Sequence, residues 1–123
     1  MKTDNANADC AFYCAFHFVP VADLADLPIF CAPVLTIDDP TLACGIDGWN
    51  VDRSGDHITD WNRGQDYADL AVAYARTKRD PAWIGFILAS IHFKVRFGLM
   101  TAGSLEGGFF TRIGKLAYLG SMD

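Results

Sequence analysis

The feature that most constrains the fold is a change in the character of the sequence near Asp60. Before it, prolines stand at positions 20, 28, 33 and 40. Because proline neither continues a helix nor donates to a strand ladder, the segments between them must be short. After it, the only proline is Pro81, and apolar residues recur at helical spacing. This division predicts an α+β fold in which an irregular or small antiparallel β half, residues 1–60, packs on a three-helix bundle, residues 61–123. The alternative is a mostly α fold.

Length and composition predict one domain spanning residues 1–123. A chain of 123 residues lies near the usual size of a domain. Hydrophobic residues make up 51% of it and charged residues 20%, which is typical of a packed globule rather than a disordered chain.

The helical half divides into three predicted helices. Apolar residues at i, i+3, i+4 and i+7 predict a first helix over about residues 62–78, and Asp80-Pro81 provides a cap and a first turn for the second. The second helix is apolar on all faces, so we expect it to be the central one. Ser104 is expected to cap the third, whose glycines would allow close approach to the central helix, with Gly85 as the matching recess. The side chains expected to face inward are Ile84, Ile87, Leu88, Ile91 and Val95, then Leu105, Phe109, Ile113, Leu116 and Ala117.

The first half gives shorter patterns. Residues 12–18 alternate as a strand would, with a short helix beginning at Asp9 as the competing interpretation. Residues 21–27 predict a helical turn or two, and residues 29–37 an edge strand at best, because Pro33 interrupts them. Residues 46–51 and 57–58 are expected to form a hairpin, with Gly55 supplying a positive φ in its turn.

The cysteines, Cys10, Cys14, Cys31 and Cys44, lack the tight Cys-X2-Cys pairs of structural zinc sites. We expect buried, reduced thiols, no metal and no cofactor, the alternatives being a zinc site with His17 as a spare ligand and a redox role. The amino-terminal residues are polar and acidic, unlike a secretory signal. The uncharged stretch 82–93 is too short to span a membrane. We therefore predict a cytoplasmic protein that does not insert into membranes.

No pattern in the sequence specifies a reaction. His57 stands near Asp52, Asp56 and Asp60, the one place where a base and carboxylates cluster. The chain contains no nucleophile elbow, phosphate-binding loop or His-Glu-X-X-His motif. Residues 47–60, which we call the acidic loop, lack the ligand spacing of a calcium loop. We therefore predict that the protein is not an enzyme.

Charge is divided unevenly along the chain. Residues 1–62 carry a net charge of −8 and residues 63–123 a net charge of +3. The acidic half is suited to a basic protein surface, although aspartates also serve simply as loop and cap residues. The basic half supports an alternative, a nucleic-acid-binding or regulatory module, but the connection over residues 93–103 is too long for a helix-turn-helix.

In size, acidity and lack of motifs, the chain resembles the short accessory proteins of phages and plasmids, among them the anti-CRISPR inhibitors. The resemblance implies an inhibitor that occupies a basic surface of a host defence complex such as a CRISPR effector. It covers no residue pattern, so no functional position is transferred from it. We expect the acidic loop to bind the partner through carboxylates and exposed aromatic side chains, with core packing as the alternative for both tryptophans. The candidate partner-binding residues are Asp47, Trp49, Asp52, Asp56, Asp60 and Trp61.

Overall fold

The computed structural model describes residues 18–121. It confirms an α+β fold, with a three-stranded antiparallel sheet in the first half and three helices in the second. The segment 12–18, expected as a strand or short helix, lies outside the described residues except for Phe18. The elements are β1 (Val19–Pro20), a 3₁₀ turn (Val21–Leu24), β2 (Ala32–Leu35), β3 (Leu42–Asp47), α1 (His57–Lys78), α2 (Ala82–Arg96) and α3 (Ser104–Ser121).

The central strand of the sheet is β3, which pairs antiparallel with both β1 and β2. Strand β2 is an edge strand, as Pro33 predicted, because proline lacks the N–H that an inner strand needs. The predicted hairpin is wrong, since Ile46 pairs with Pro33 of β2 and His57 begins a helix. Gly55 does have a positive φ of 85°, but it lies in the loop that leads into α1.

Helix α1 begins five residues before its predicted start because Asp56 caps it. The Asp56 side chain accepts hydrogen bonds from the backbone N–H of Thr59 at 2.8 Å and from its hydroxyl at 2.6 Å. These bonds satisfy one of the amide groups that a helix leaves unpaired at its first turn. Asp80 lies next to the start of α2, as predicted, and its side chain accepts from the N–H of Ala82, the first residue of this helix, at 3.0 Å.

Helices α1 and α3 form the closest packing in the helical half, and they run in the same direction. His57 contacts Ser104 at their first turns, and Asp69 pairs with Arg112 further along both helices. Helix α2 carries the chain from the end of α1 back to the start of α3. It packs on α1 much less extensively than α3 does. The central helix is therefore α1, and the prediction that α2 is central was wrong.

Two glycines allow this close approach. A Cβ atom at Gly108 would overlap with the Trp61 carbonyl group, and one at Gly64 with the Leu105 carbonyl group. The predicted close approach of α3 is thus confirmed at Gly108, but the facing helix is α1. Gly85 provides no recess, since a Cβ there would meet none of the described residues within 4 Å.

The core lies between the sheet and the helices, with Trp49 at its centre. The Trp49 ring lies 4.8 Å from the ring of Phe109, 5.5 Å from Phe30 and 6.1 Å from Tyr67, centroid to centroid. Of the side chains expected to face inward, Val95 and Ala117 are exposed because the ends of α2 and α3 extend beyond the core. The others are buried (Ile87, Ile91, Leu105, Phe109) or half-buried (Ile84, Leu88, Ile113, Leu116).

The two described cysteines differ in state. Cys31 is a buried free thiol whose Sγ donates to the Gly48 carbonyl at 3.6 Å, and burial raises the pKa of this thiol to about 12. Cys44 is disulfide-bonded. The prediction of a reduced thiol is therefore wrong for Cys44. None of the helices within residues 18–121 is both long and apolar enough to cross a bilayer.

Replacing Ile87 with aspartate should unfold the protein, because an ionised carboxylate would be buried without a partner. We expect a loss of about 4 kcal/mol or more in the free energy of unfolding, measured by urea denaturation followed by circular dichroism. The matched control is Ile29→Asp, since Ile29 is 74% exposed. An Ile87→Asp variant as stable as this control would contradict the placement of α2.

Replacing Arg79 with glycine should stabilise the protein by about 0.5 kcal/mol. Arg79 ends α1 with a φ of 54°, a left-handed conformation that costs an L-residue more than it costs glycine. The control is Arg76→Gly one turn earlier, which should destabilise by about 1 kcal/mol because glycine weakens a helix interior. Equal losses of stability in both variants would contradict this account of the helix end.

Candidate functional site

The acidic loop between β3 and α1 is held in place by one buried carboxylate, that of Glu106. Arg53 donates to both of its oxygens, at 2.7 and 2.6 Å, and the indole Nε1 of Trp49 donates at 2.8 Å. The backbone N–H of Gly103, which precedes α3, donates a further bond at 2.8 Å. Because a buried charge is costly unless it is paired and hydrogen-bonded, these donors are what allow Glu106 to lie inside the protein.

The pKa of Glu106 follows from this environment. Burial acts to raise it, but the hydrogen bonds from Arg53, Trp49 and Gly103 outweigh burial and hold the pKa below its ordinary value. In return, the hydrogen bond to Glu106 raises the pKa of Arg53. Glu106 is therefore ionised at neutral pH and acts as a fixed anchor for the loop.

A second ion pair fixes the start of the loop. Lys94 on α2 donates to the Asp47 carboxylate at 2.8 Å and to the carbonyl of Trp49 at 2.6 Å. Asp47 also accepts from the backbone N–H of Trp49 at 3.1 Å. The first part of the acidic loop is thereby tied to α2.

Asp60 turns inward rather than towards solvent. It is 6% exposed and accepts two bonds from Ser54, from the backbone N–H at 3.0 Å and from the hydroxyl at 2.8 Å. These bonds lower the pKa of Asp60, the backbone bond contributing most. Asp60, in the first turn of α1, therefore ties this helix to the loop at Ser54.

The structure separates the six predicted site residues into two groups. Trp49 is 1% exposed, so the prediction that it is an exposed anchor is wrong and the alternative of core packing holds. Asp47 and Asp60 are occupied within the protein by Lys94 and Ser54. The residues that reach the surface are Asp52, Asp56 and Trp61, the last half-buried.

Trp61 belongs to a patch that sequence reasoning missed. His57, Ile58 and Trp61 line a shallow pocket of about 210 Å³ on the first turns of α1, which we call the helix-start patch. Ile58 is 68% exposed. The signal for it was the Asp56-X-X-Thr59 cap, which places Ile58 on a helix instead of in a hairpin.

The helix-start patch is rigidly supported. His57 Nδ1 shares a hydrogen bond with the hydroxyl of Ser104, which joins the first turns of α1 and α3. The indole of Trp61 lies over Gly107, where a Cβ atom would come within 2.9 Å of the ring. Small residues on α3 therefore set the position of the Trp61 ring.

The basic half presents less free charge than its composition suggests. Lys78 pairs with Asp26 at 2.6 Å and Arg112 with Asp69 at 2.8 Å, in addition to the Lys94 pair.

The described residues contain no group of three or more His, Cys, Asp or Glu side chains that could hold a metal ion. That the protein binds no metal stays a prediction.

Comparison with known proteins adds no relative. No family model, curated protein or solved structure matches this chain.

Replacing Glu106 with glutamine should lower the free energy of unfolding at neutral pH by about 2 kcal/mol. The reason is that Arg53 loses its counter-charge while remaining partly buried. Urea denaturation measures the loss, and Asp66→Asn, a change at an exposed carboxylate on α1, is the control, expected within about 0.5 kcal/mol of wild type.

The same pair should show a defined pH dependence. Because the folded-state pKa of Glu106 is lowered, its stabilisation is fully present above the ordinary pKa of 4.5 and is lost as pH falls through the folded-state value. The stability difference between wild type and Glu106→Gln should therefore shrink between neutral pH and about pH 3. A difference that stays constant over this range would contradict an ionised Glu106.

Proposed function

We propose that the protein is a small non-enzymatic protein-binding protein, which docks on a basic surface of its partner through the helix-start patch and the carboxylates near it. The observation that carries the proposal is the 68% exposure of Ile58 on the first turn of a capped helix, beside the half-buried Trp61. A large apolar side chain held at the surface next to an aromatic ring is typical of the anchors that dominate protein interfaces.

Rigidity supports this assignment. Asp56 caps the helix, and the His57–Ser104 hydrogen bond ties its first turn to α3. A surface that is already ordered loses little conformational entropy on binding, so more of its contact energy contributes to affinity.

Charge supports a basic partner. Asp52 and Asp56 are exposed on either side of Arg53, close in sequence to the patch. Exposed carboxylates speed the approach of a cationic surface and fix its orientation more than they add affinity. In its finer form, which rests on the resemblance to anti-CRISPR inhibitors, the partner is a host defence complex whose basic nucleic-acid channel the protein covers.

The alternative, nucleic-acid binding through the helical half, has less support. Three of its eight basic residues are held in ion pairs with aspartates, namely Lys78, Lys94 and Arg112. Since phosphate binding depends on cations that can replace counterions along the backbone, pairing of three of the eight makes this half a weaker candidate than its composition suggests.

The first test is a substitution in the patch. A partner identified by affinity purification from the host and mass spectrometry is purified, and its binding to wild type and Ile58→Asp is measured by biolayer interferometry. We expect Ile58→Asp to weaken binding at least about tenfold, because it places a charge at an apolar anchor. The matched control, Ile29→Asp, changes a similarly exposed isoleucine elsewhere and should leave affinity unchanged.

The second test concerns charge. Asp52→Lys should slow association and reduce its dependence on salt, whereas Asp23→Lys, at an exposed aspartate in the 3₁₀ turn, should have a smaller effect. Asp56 is left unchanged because it caps α1.

Equal loss of binding in Ile58→Asp and Ile29→Asp would remove the patch from the interface. Binding of wild type to DNA that is lost on changing Arg76 and Arg79 would favour the nucleic-acid alternative instead.

A further inference from the structure

A second surface lies at the opposite end of α1, where α1 ends and α2 begins. Val72, Ala75 and Ile84 line an apolar groove of about 340 Å³, within the size range of ligand-binding sites. The groove is bordered by Arg76 and Arg79, both exposed. This is an apolar floor with two cations at its edge.

The carboxylate of Asp80 also borders the groove, but it is engaged. It accepts a hydrogen bond from the N–H of Ala82, the first residue of α2. Asp80 keeps its negative charge, so the edge of the groove carries two positive charges, from Arg76 and Arg79, against one negative charge and favours an occupant with negative charge.

Arg79 provides an independent observation. It has a left-handed φ of 54° at the position that follows a helix, where glycine is the common residue. An arginine at this position costs backbone energy that glycine would avoid. Residues in such conformations occur more often than average at binding and active sites, and this side chain borders the groove.

The chain itself contains a complementary segment, the loop between β2 and β3. Ile37 at its tip is 100% exposed, and it is followed directly by the exposed carboxylate of Asp38. The loop is held in shape by bonds from the N–H and hydroxyl of Thr41 to Asp39, at 3.0 and 2.6 Å. It therefore presents an apolar side chain and a carboxylate at neighbouring positions.

We propose that the protein associates with a second copy of itself, with Ile37 of one copy in the groove of the other and Asp38 against Arg76 and Arg79. Loop and groove are different surfaces, so the contact closes into a dimer if it is reciprocal and otherwise extends from copy to copy. One isoleucine and one charge contact form a small interface, so the association is weak, with a Kd between about 10 μM and about 1 mM. The inference is independent of the proposed function.

Sedimentation velocity of the full chain over this concentration range tests the proposal. We expect the wild type to associate reversibly, and Ile37→Ser and Arg79→Glu each to weaken association at least about tenfold. Combining Arg79→Glu with Asp38→Arg should recover part of the lost association, because the pair at position 79 is re-formed with reversed signs while Arg76 then faces a like charge. Ile29→Ser is the control for the loss of an exposed isoleucine and should associate as the wild type does.

Two further variants separate docking from stability and from the patch. Arg79→Gly should be more stable than wild type and yet associate more weakly, a combination that a merely structural role of Arg79 would not produce. Ile58→Asp should leave self-association unchanged, so failure of this proposal and failure of the proposed function are distinguishable. The proposal is overturned if wild type stays monomeric throughout. It is also overturned if a host protein, rather than a second copy, protects the groove from hydrogen exchange.

Discussion

The buried carboxylate of Glu106 is the interaction on which the arrangement of the two halves depends. It belongs to the first turn of α3, yet its donors come from the core tryptophan, from the loop after β3 and from the residue before the helix. A buried carboxylate that loses a donor keeps the full cost of its desolvation, so the donors must be positioned together. Trp49 therefore has two roles, because its ring fills the core while its N–H fixes α3. The sheet and the helices are joined at this point by one polar network surrounded by aromatic rings.

The parallel packing of α1 and α3 has consequences at both ends of the molecule. Helices with small residues at their crossing can bring their backbones close together, and Gly64 and Gly108 supply those residues. Two consecutive helices of a bundle are usually antiparallel, so parallel packing requires α2 to return the chain between them. The first turns of α1 and α3 then lie side by side, where His57 and Ser104 meet. The turn from α1 into α2 lies at the other end, which is why the helix-start patch and the groove are far apart.

The sequence predicts which helices and strands form better than it predicts which of them pack against one another. The three helices and the edge strand follow from periodicity and proline placement, and the start of α2 follows from the Asp80-Pro81 pair. The sequence did not predict the start of α1, because Asp56 lies among the other aspartates of the acidic loop. Nothing in the residue type distinguishes an aspartate that caps a helix from one that lies within a loop. The central helix was misassigned because apolarity on all faces of α2 reports burial but not which element covers each face. Trp49 and Asp47 could not be placed from spacing, since their partners Glu106 and Lys94 are distant in the sequence.

The aspartates of the first half have different roles in the described part of the chain. Asp26 and Asp47 are paired with lysines of the helical half, so part of the charge asymmetry along the sequence is cancelled by the fold. Three more, Asp39, Asp56 and Asp60, accept bonds from nearby Thr or Ser residues, as the interpretation of aspartates as loop and cap residues predicted. The exposed carboxylates form small local groups, as at Asp38 and Asp39 and at Asp52 and Asp56. Since isolated exposed charges are screened within about 10 Å at ordinary salt, they can orient a partner only at short range. The proposed recognition of a partner therefore depends on apolar side chains at the surface, with single carboxylates orienting the partner that those side chains contact.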